Sequence, residues 1–136
     1  MLRRLLLVDQ NDDFLDGLRS LLEKEPGIKV VGRAHSASEA IARTPRLRPH
    51  LVLMDVALPD MSGFKAVAKL KALPSAPLVL LMTFHGSRAA REAAHEAGAD
   101  GCVSKAEAPD RLLLTLQEVL WPEPDSGKLA AGGSPI

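Results

Sequence analysis

The chain has 136 residues, of which 46% are hydrophobic, a length and composition that give one domain with one core. Its 17 lysines and arginines balance its 17 aspartates and glutamates, so the net charge argues against a general attraction to nucleic acid or to an anionic membrane. No apolar run approaches the roughly 20 residues of a membrane span, and a single cysteine excludes an internal disulfide and indicates a reducing cytoplasm.

Strand and helix signals alternate along the chain, beginning with a short apolar run over residues 5–8 that predicts a buried strand. This run ends in the acid Asp9, so we expect no signal peptide there. A helix is predicted from about residue 12 to 25, with Asn11 as its capping residue. The Pro26-Gly27 pair ends that helix.

The next two units follow the same alternation. Residues 28–31 predict a second strand, and a helix then runs to about residue 47. Ser36 or Ser38 caps this helix, and Glu39, three residues after Ser36, completes a capping box. A third strand over 51–54 leads into a loop at 59–63 and a helix to about residue 73.

The last part of the chain predicts two more units and a tail. Residues 78–82 form the most apolar strand, and an alanine-rich helix after it ends at Gly98. A brief strand over 102–103 precedes a final helix that starts near Pro109. Residues 122–136 are rich in proline, glycine, serine and alanine, so we expect a disordered tail or a linker stub after a domain that covers 1–121.

Five strand–helix units with right-handed crossovers predict an α/β fold with a doubly wound, five-stranded parallel sheet. The expected arrangement is flavodoxin-like, (βα)5, with strand order 2-1-3-4-5. In such a sheet the carboxyl ends of all strands meet at one edge, and ligands bind there.

Four polar residues stand at or just past the ends of predicted strands. They are Asp9, Asp55, Thr83 and Lys105. Two carboxylates, one hydroxyl and one ammonium at one edge make a site that suits a hard cation together with an anionic group.

Several short segments give the chain a resemblance to a known family. They are LVD at 7–9, LVLMD at 51–55, LPDMSG at 58–63, MT at 82–83 and GADGCVSK at 98–105. Together they resemble the receiver domain of two-component response regulators (CheY-like) over about residues 3–120. The segment EPGIKVVG at 25–32, and a Lys105 without a following proline, are most similar to the branch with helix-turn-helix DNA-binding output.

The resemblance implies that Asp55 is the phosphoacceptor and that a histidine kinase or phosphotransfer protein supplies the phosphoryl group. It also implies a Mg²⁺ ion held by Asp9, Asp55 and the backbone carbonyl of Ala57, which agrees with the need to offset charge repulsion when a carboxylate attacks a phosphoryl group. Lys105 then pairs with the phosphoryl oxygens, and the Thr83 hydroxyl moves to hydrogen-bond them.

Such a domain is cytoplasmic and switches a protein-interaction surface. It is not an enzyme beyond its own phosphorylation and dephosphorylation. The resemblance further implies a homodimer through the fourth helix, fifth strand and fifth helix, with no direct nucleic acid contact by this domain and no membrane contact. The alternative is a degenerate receiver that acts as a phosphorylation-independent interaction module.

One departure from the family pattern affects the metal. Gln10 stands where the family has a second acid, so its uncharged amide is expected to ligate Mg²⁺ weakly or through water. Asp12 or Asp13 could supply the missing charge, although both fit better as acids of a helix's first turn.

Two departures affect switching. Cys102 replaces the family's aromatic switch residue, and a small buried thiol cannot report the same motion. Phe84 follows Thr83 where a small residue is usual, so we expect its ring to narrow access to Asp55 and to slow phosphorylation, hydrolysis or both.

Two other proteins with related folds fit the sequence poorly. A flavodoxin needs a phosphate-binding first loop, whereas residues 10–13 here include two acids that repel phosphate. A phosphatase of the haloacid dehalogenase kind needs a second aspartate two residues after Asp55, where this chain has Ala57.

Overall fold

The computed structural model describes residues 2–107 and 109–123, which form one parallel sheet with helices on both faces. Its elements are β1 (Arg3–Val8), α1 (Asp12–Leu22), β2 (Ile28–Ala34), α2 (Ala37–Leu47), β3 (Leu51–Asp55), α3 (Gly63–Lys71), β4 (Leu78–Thr83), α4 (Arg88–Ala97), β5 (Gly101–Ser104) and α5 (Pro109–Leu120). The tail expected after residue 121 lies almost entirely outside the described residues, and the domain boundary stays a prediction.

The strand order is β2-β1-β3-β4-β5, and every neighbouring pair is parallel. The α/β class and the flavodoxin-like order predicted from the sequence are therefore confirmed. Parallel pairing of β1 with β3 and of β3 with β4 places the ends of these strands side by side, with Val8 opposite Met54 and Asp55 opposite Met82.

The inner strands β1, β3 and β4 are buried on both faces over most of their length, which explains why their sequences are continuous apolar runs rather than alternating ones. In β1, Leu5 and Leu7 pack under α1 and α5, whereas Leu6 and Val8 pack under the helices of the other face. All four side chains are fully buried. Two apolar layers thus cover the sheet, one on each face, and position the residues that follow the strands.

The structure corrects several predicted boundaries. The second strand continues past residue 31 to Ala34, because Gly32 to Ala34 keep pairing with β1 after a bulge at Val31. The sequence pattern missed this extension because Arg33 interrupts the apolar run, although an edge strand tolerates such a polar, partly exposed side chain. The first helix ends at Leu22 rather than 25, because the next three residues form turns whose amides bond to Arg19, Leu21 and Leu22 carbonyls.

The first two helices begin at predicted caps, Asn11 and Ser36, and two further helices begin at serines that were not predicted as caps. Asn11, Ser36, Ser62 and Ser87 each accept a hydrogen bond from an amide in the first turn of the helix that follows. Gly98 ends α4 with a φ of 96°, a left-handed conformation that favours glycine. No helix in the part of the chain that the structure describes is long and apolar enough to cross a membrane.

Candidate functional site

The carboxyl edge of the sheet brings together the residues expected there. Asp9 follows β1, Asp55 ends β3 and Thr83 ends β4, and each is at least 93% buried, with relative exposures of 1%, 7% and 6%. Lys105 follows β5 directly, and its backbone amide donates to the Thr83 carbonyl at 2.7 Å. The strand ends therefore set the backbone positions of all four residues.

The Lys105 ammonium bridges the two carboxylates. Its Nζ lies 2.5 Å from Oδ2 of Asp9 and 3.2 Å from Oδ2 of Asp55. Since only 16% of the lysine side chain is exposed, these are partly desolvated, charge-assisted hydrogen bonds. The ammonium neutralises one of two carboxylate charges and leaves the three groups with a net charge of −1 when both acids are ionised.

The second oxygen of each carboxylate is held by the backbone. Oδ1 of Asp9 accepts from the amide of Asn11 at 2.9 Å, and Oδ1 of Asp55 accepts from the amide of Ala57 at 3.3 Å. Both are turns in which an aspartate caps the amide two residues on. The Oδ2 atoms therefore face one another across Lys105.

Burial raises the pKa of the Asp55 carboxyl above its ordinary value. The charge and hydrogen bond of Lys105, together with the Ala57 amide, oppose this rise, and the nearby Asp9 carboxylate adds to it. Desolvation is the largest cause, so the Asp55 carboxylate is a charged group that the fold holds at a cost in stability.

Gln10 and Ala57 make a contact that the sequence did not indicate. The Gln10 Nε2 donates to the backbone carbonyl of Ala57 at 3.2 Å. Both residues were expected to face the same Mg²⁺ ion, Ala57 through this carbonyl and Gln10 through its amide oxygen. In the structure the amide presents a donor instead, and the carbonyl is already hydrogen-bonded.

Asp12 points away from the carboxylate pair. Its Oδ1 lies 2.6 Å from Nε2 of His35 and 3.4 Å from Nη1 of Arg33, and the hydrogen bond to His35 is the largest cause of its lowered pKa. This pairing fits its expected role as an acid of the first helical turn rather than as a substitute for the missing metal ligand. Asp13 lines a cavity beside Lys105.

The Thr83 hydroxyl is engaged within its own loop, where it donates to the carbonyl of His85 at 3.0 Å. Cys102 lies beside it on β5, half-buried, and burial raises the pKa of its thiol. The sequence reading missed Ser104, whose hydroxyl donates to the Phe84 carbonyl at 3.3 Å and ties β5 to the same loop.

Phe84 is the most exposed large apolar residue among those described, at 72%. Its ring meets the His85 ring edge-on, with centroids 4.9 Å apart. The ring projects into solvent at the rim of the site, so its expected effect on access to Asp55 stays a prediction.

Two further residues were outside the sequence-based site. Asp60, in the loop after β3, accepts from the amides of Ala37 and Ser38 at 2.9 Å each and from the Ser38 hydroxyl at 2.6 Å. These bonds lower the pKa of Asp60 to about 2, and they tether the Ala57 loop to the start of α2. The other is Phe14 on α1, whose ring centroid lies 4.3 Å from Nζ of Lys105.

The donor set of this edge consists of oxygens alone, which suits Mg²⁺ better than a transition metal. In residues 2–107 and 109–123 no three histidine, cysteine or acidic side chains come together as a metal site. An ion here would therefore use the two carboxylates, the Ala57 carbonyl and water. The residues present fit such an ion, with one acid fewer than the family pattern.

The fold and the groups gathered at its carboxyl edge define a receiver-type signalling domain. The model of the response regulator receiver domain family matches residues 5–117. A solved two-component response regulator of the LuxR family from Aurantimonas sp. SI85-9A1 superposes with a TM-score of 0.85 at 31% identity, over 98% of each chain.

Curated relatives give the same result. Response regulator UvrY of Escherichia coli is 31% identical over 114 residues, which cover 84% of this chain and 52% of UvrY. A protein-glutamate methylesterase/protein-glutamine glutaminase of Alkalilimnicola ehrlichii is 34% identical over 104 residues, 75% of this chain and 26% of that protein. The chain thus spans about a quarter to a half of the length of these relatives, and it belongs to the response regulator receiver domain family of two-component systems.

Proposed function

We propose that this receiver domain accepts a phosphoryl group on Asp55, with Mg²⁺, from a histidine kinase or phosphotransfer protein, and thereby switches a protein-interaction surface. The observation that carries the proposal is the Lys105 ammonium held between Asp9 and Asp55 at 2.5 and 3.2 Å. A buried carboxylate next to a second carboxylate and one cation is arranged to receive a group that brings negative charge and a metal together.

In the proposed step, an Asp55 carboxylate oxygen attacks the phosphorus of a phosphohistidine on the donor protein. The new O–P bond forms as the P–N bond breaks, and the electron pair returns to the imidazole nitrogen of the donor. When bound by Asp9, Asp55 and the Ala57 carbonyl, Mg²⁺ offsets the repulsion between the carboxylate and the phosphoryl oxygens.

Lys105 and Thr83 then respond to the new charge. Lys105 is already hydrogen-bonded to Asp55, so its ammonium needs only a short shift from Asp9 to pair with a phosphoryl oxygen. The Thr83 hydroxyl has to leave the His85 carbonyl in order to reach the phosphoryl group. That exchange of partners pulls the loop before α4 and so changes the surface around α4, β5 and α5.

The same surface is where we place a homodimer contact or a downstream protein partner. Leu114 on α5 is half exposed, whereas the exposed face of α4 is mainly charged, with Arg88, Arg91, Glu92, His95 and Glu96. We further propose a cytoplasmic location and no catalytic activity beyond the domain's own phosphorylation and dephosphorylation.

Intact mass spectrometry after incubation with acetyl phosphate tests the proposal. The wild-type chain is expected to gain one phosphate with Mg²⁺ and none with EDTA, and an Asp55→Asn control is expected to gain none. Failure to label with acetyl phosphate and with phosphoramidate at high Mg²⁺ would reject phosphorylation. It would favour the alternative hypothesis of a degenerate receiver that binds partners constitutively. The Gln10–Ala57 hydrogen bond supports that alternative.

A further inference from the structure

The Phe14 ring supplies the third contact of the Lys105 ammonium. Nζ of Lys105 lies 4.3 Å from the ring centroid, well inside the roughly 6 Å range of a cation–π interaction. The ammonium therefore has two carboxylate oxygens on Asp9 and Asp55 and one aromatic face as neighbours. No other cation–π contact to a site residue occurs among the described residues.

The position of this ring is tied to the same carboxylate that holds the lysine. The amide of Phe14 donates to Oδ1 of Asn11 at 3.0 Å, and the amide of Asn11 donates to Oδ1 of Asp9 at 2.9 Å. The ring also packs against the apolar cluster between the sheet, α1 and α5. Capping and packing together fix the ring where the ammonium meets it.

The ammonium needs such a constraint because other carboxylates lie near enough to compete for it. Phe14 and Lys105 line one cavity of about 390 Å³ between α1 and α5, and Asp13 and Glu107 line it as well. Glu107 already accepts from the Ser104 amide at 3.1 Å, but Asp13 is a further carboxylate on the cavity side. A flexible lysine stem can exchange between carboxylates unless something holds it.

We propose that Phe14 is a positioning residue whose ring face holds the Lys105 ammonium beside Asp9 and Asp55. An ammonium held there is already close to the phosphoryl oxygens when Asp55 is phosphorylated. The Lys105 side chain then loses less conformational freedom during the reaction. The effect on rate rests on the proposed function, whereas the ring–ammonium contact does not.

Nuclear magnetic resonance of the metal-free protein tests the contact by itself. The Lys105 ε-methylene signal, assigned by its absence in Lys105→Arg, is expected to be shifted upfield by the ring current. Phe14→Tyr keeps the ring face and should keep the shift, whereas Phe14→Leu keeps apolar volume and should lose it. An identical Lys105 signal in wild type and Phe14→Leu would overturn the proposal. Phe14→Met serves in the same way if the leucine variant does not fold.

Labelling by acetyl phosphate at saturating Mg²⁺ tests the consequence. Phe14→Leu is expected to label about threefold to tenfold more slowly, the size of one cation–π contact, and Phe14→Tyr to restore the rate. In a Lys105→Met background the Phe14→Leu change should cause no further loss, since no ammonium is left to hold.

The outcomes separate the two proposals. Equal rates for wild type and Phe14→Leu, or the same loss with and without the Lys105 ammonium, would reject the positioning role. A wild-type chain that takes up no phosphate would reject the proposed function, and the Lys105 signal would then decide on Phe14 alone.

Discussion

The side-chain amide of Gln10 donates to the backbone carbonyl of Ala57 across 3.2 Å. This is the carbonyl proposed to ligate Mg²⁺, so Gln10 would compete with the ion for one oxygen. A carboxylate at position 10 would repel that carbonyl and attract a cation. The amide N–H instead binds the carbonyl and disfavours a cation beside it. We therefore expect Gln10 to weaken the proposed metal site in two ways, by the absence of a charge and by the hydrogen bond to one of the expected ligands.

Gln10→Asp should therefore strengthen Mg²⁺ binding. The variant adds an anionic ligand and removes the donor to Ala57, and we expect an affinity about tenfold higher, consistent with one extra screened charge interaction near a protein surface. Titration calorimetry, or the Mg²⁺ dependence of labelling by acetyl phosphate, measures the change.

Gln10→Asn is the matched control for charge, because it shortens the side chain without adding an anionic ligand. Any gain in its Mg²⁺ affinity can come only from release of the Ala57 carbonyl, and it should be smaller than the gain in Gln10→Asp. Without metal, Gln10→Asp should also melt at a lower temperature than wild type, since a third carboxylate then shares the single ammonium of Lys105. Added Mg²⁺ should reverse that order. Equal Mg²⁺ affinity in Gln10→Asp and wild type would contradict the role given to Gln10.

Asp55→Asn should stabilise the domain near neutral pH. Burial, the largest cause, raises the pKa of Asp55 in the folded state, so the folded chain holds the Asp55 proton more tightly than the unfolded chain does. Stability is therefore highest while the carboxyl is protonated, and it falls as the pH rises through the raised pKa. The asparagine variant carries no such charge and avoids that loss.

Urea unfolding of both proteins over a range of pH tests this sign. The variant should have the higher free energy of unfolding at pH 7, and the difference should shrink on acidification towards the ordinary pKa of an aspartate. A difference in the free energy of unfolding that stays constant with pH would indicate a packing effect instead. A variant less stable than wild type at pH 7 would show that the pairing of Asp55 with Lys105 outweighs the cost of burial.

The uninterrupted apolar runs of the strands made the fold predictable from the sequence. Residues such as Leu53 and Met54 are buried on both sides of the sheet, so an uninterrupted apolar run ending in Asp55 has few structural interpretations. Once the strands are ordered, the polar residue after each run must lie at one edge. This is why Asp9 and Lys105, far apart in the chain, could be expected to meet.

Contacts between side chains from different elements were not predictable in this way. Gln10 could have offered its oxygen or its nitrogen, and only the approach of the Ala57 carbonyl selects the nitrogen. Phe14 has the spacing of an ordinary core residue, and its second role depends on where Lys105 points. Helix spacing specifies a face, but it does not specify which partner lies against that face.

Phe84→Ala should speed the phosphorylation or the dephosphorylation of Asp55 with little effect on stability. The ring is 72% exposed at the rim of the site, so its removal leaves no buried cavity and should change the free energy of unfolding by less than about 0.5 kcal/mol. Stopped-flow labelling and loss of label after donor removal measure the two rates. Phe84→Leu, which keeps most of the bulk, is the control, and unchanged kinetics in the alanine variant would remove any gating role for the ring.

Gly63→Ala should damage both the fold and the site. Gly63 opens α3, and a Cβ there would lie 2.7 Å from the backbone oxygen of Asp55 and 2.8 Å from Cα of Val56. Because both neighbours are backbone atoms, the loop after β3 has to shift, and we expect a loss of about 1–3 kcal/mol in stability. The shift also moves the Ala57 carbonyl, so labelling of Asp55 should need more Mg²⁺.

Gly17→Ala is the matched control for this substitution. Gly17 lies within α1, and a Cβ there meets nothing within 4 Å, so alanine should stabilise the helix by about 0.5–1 kcal/mol. Urea unfolding of the two variants beside wild type should thus give shifts of opposite sign for the same chemical change. A Gly63→Ala variant with the same free energy of unfolding as wild type would show that the loop after β3 shifts easily. The close approach of α3 to Asp55 would then not be what fixes the geometry of the site.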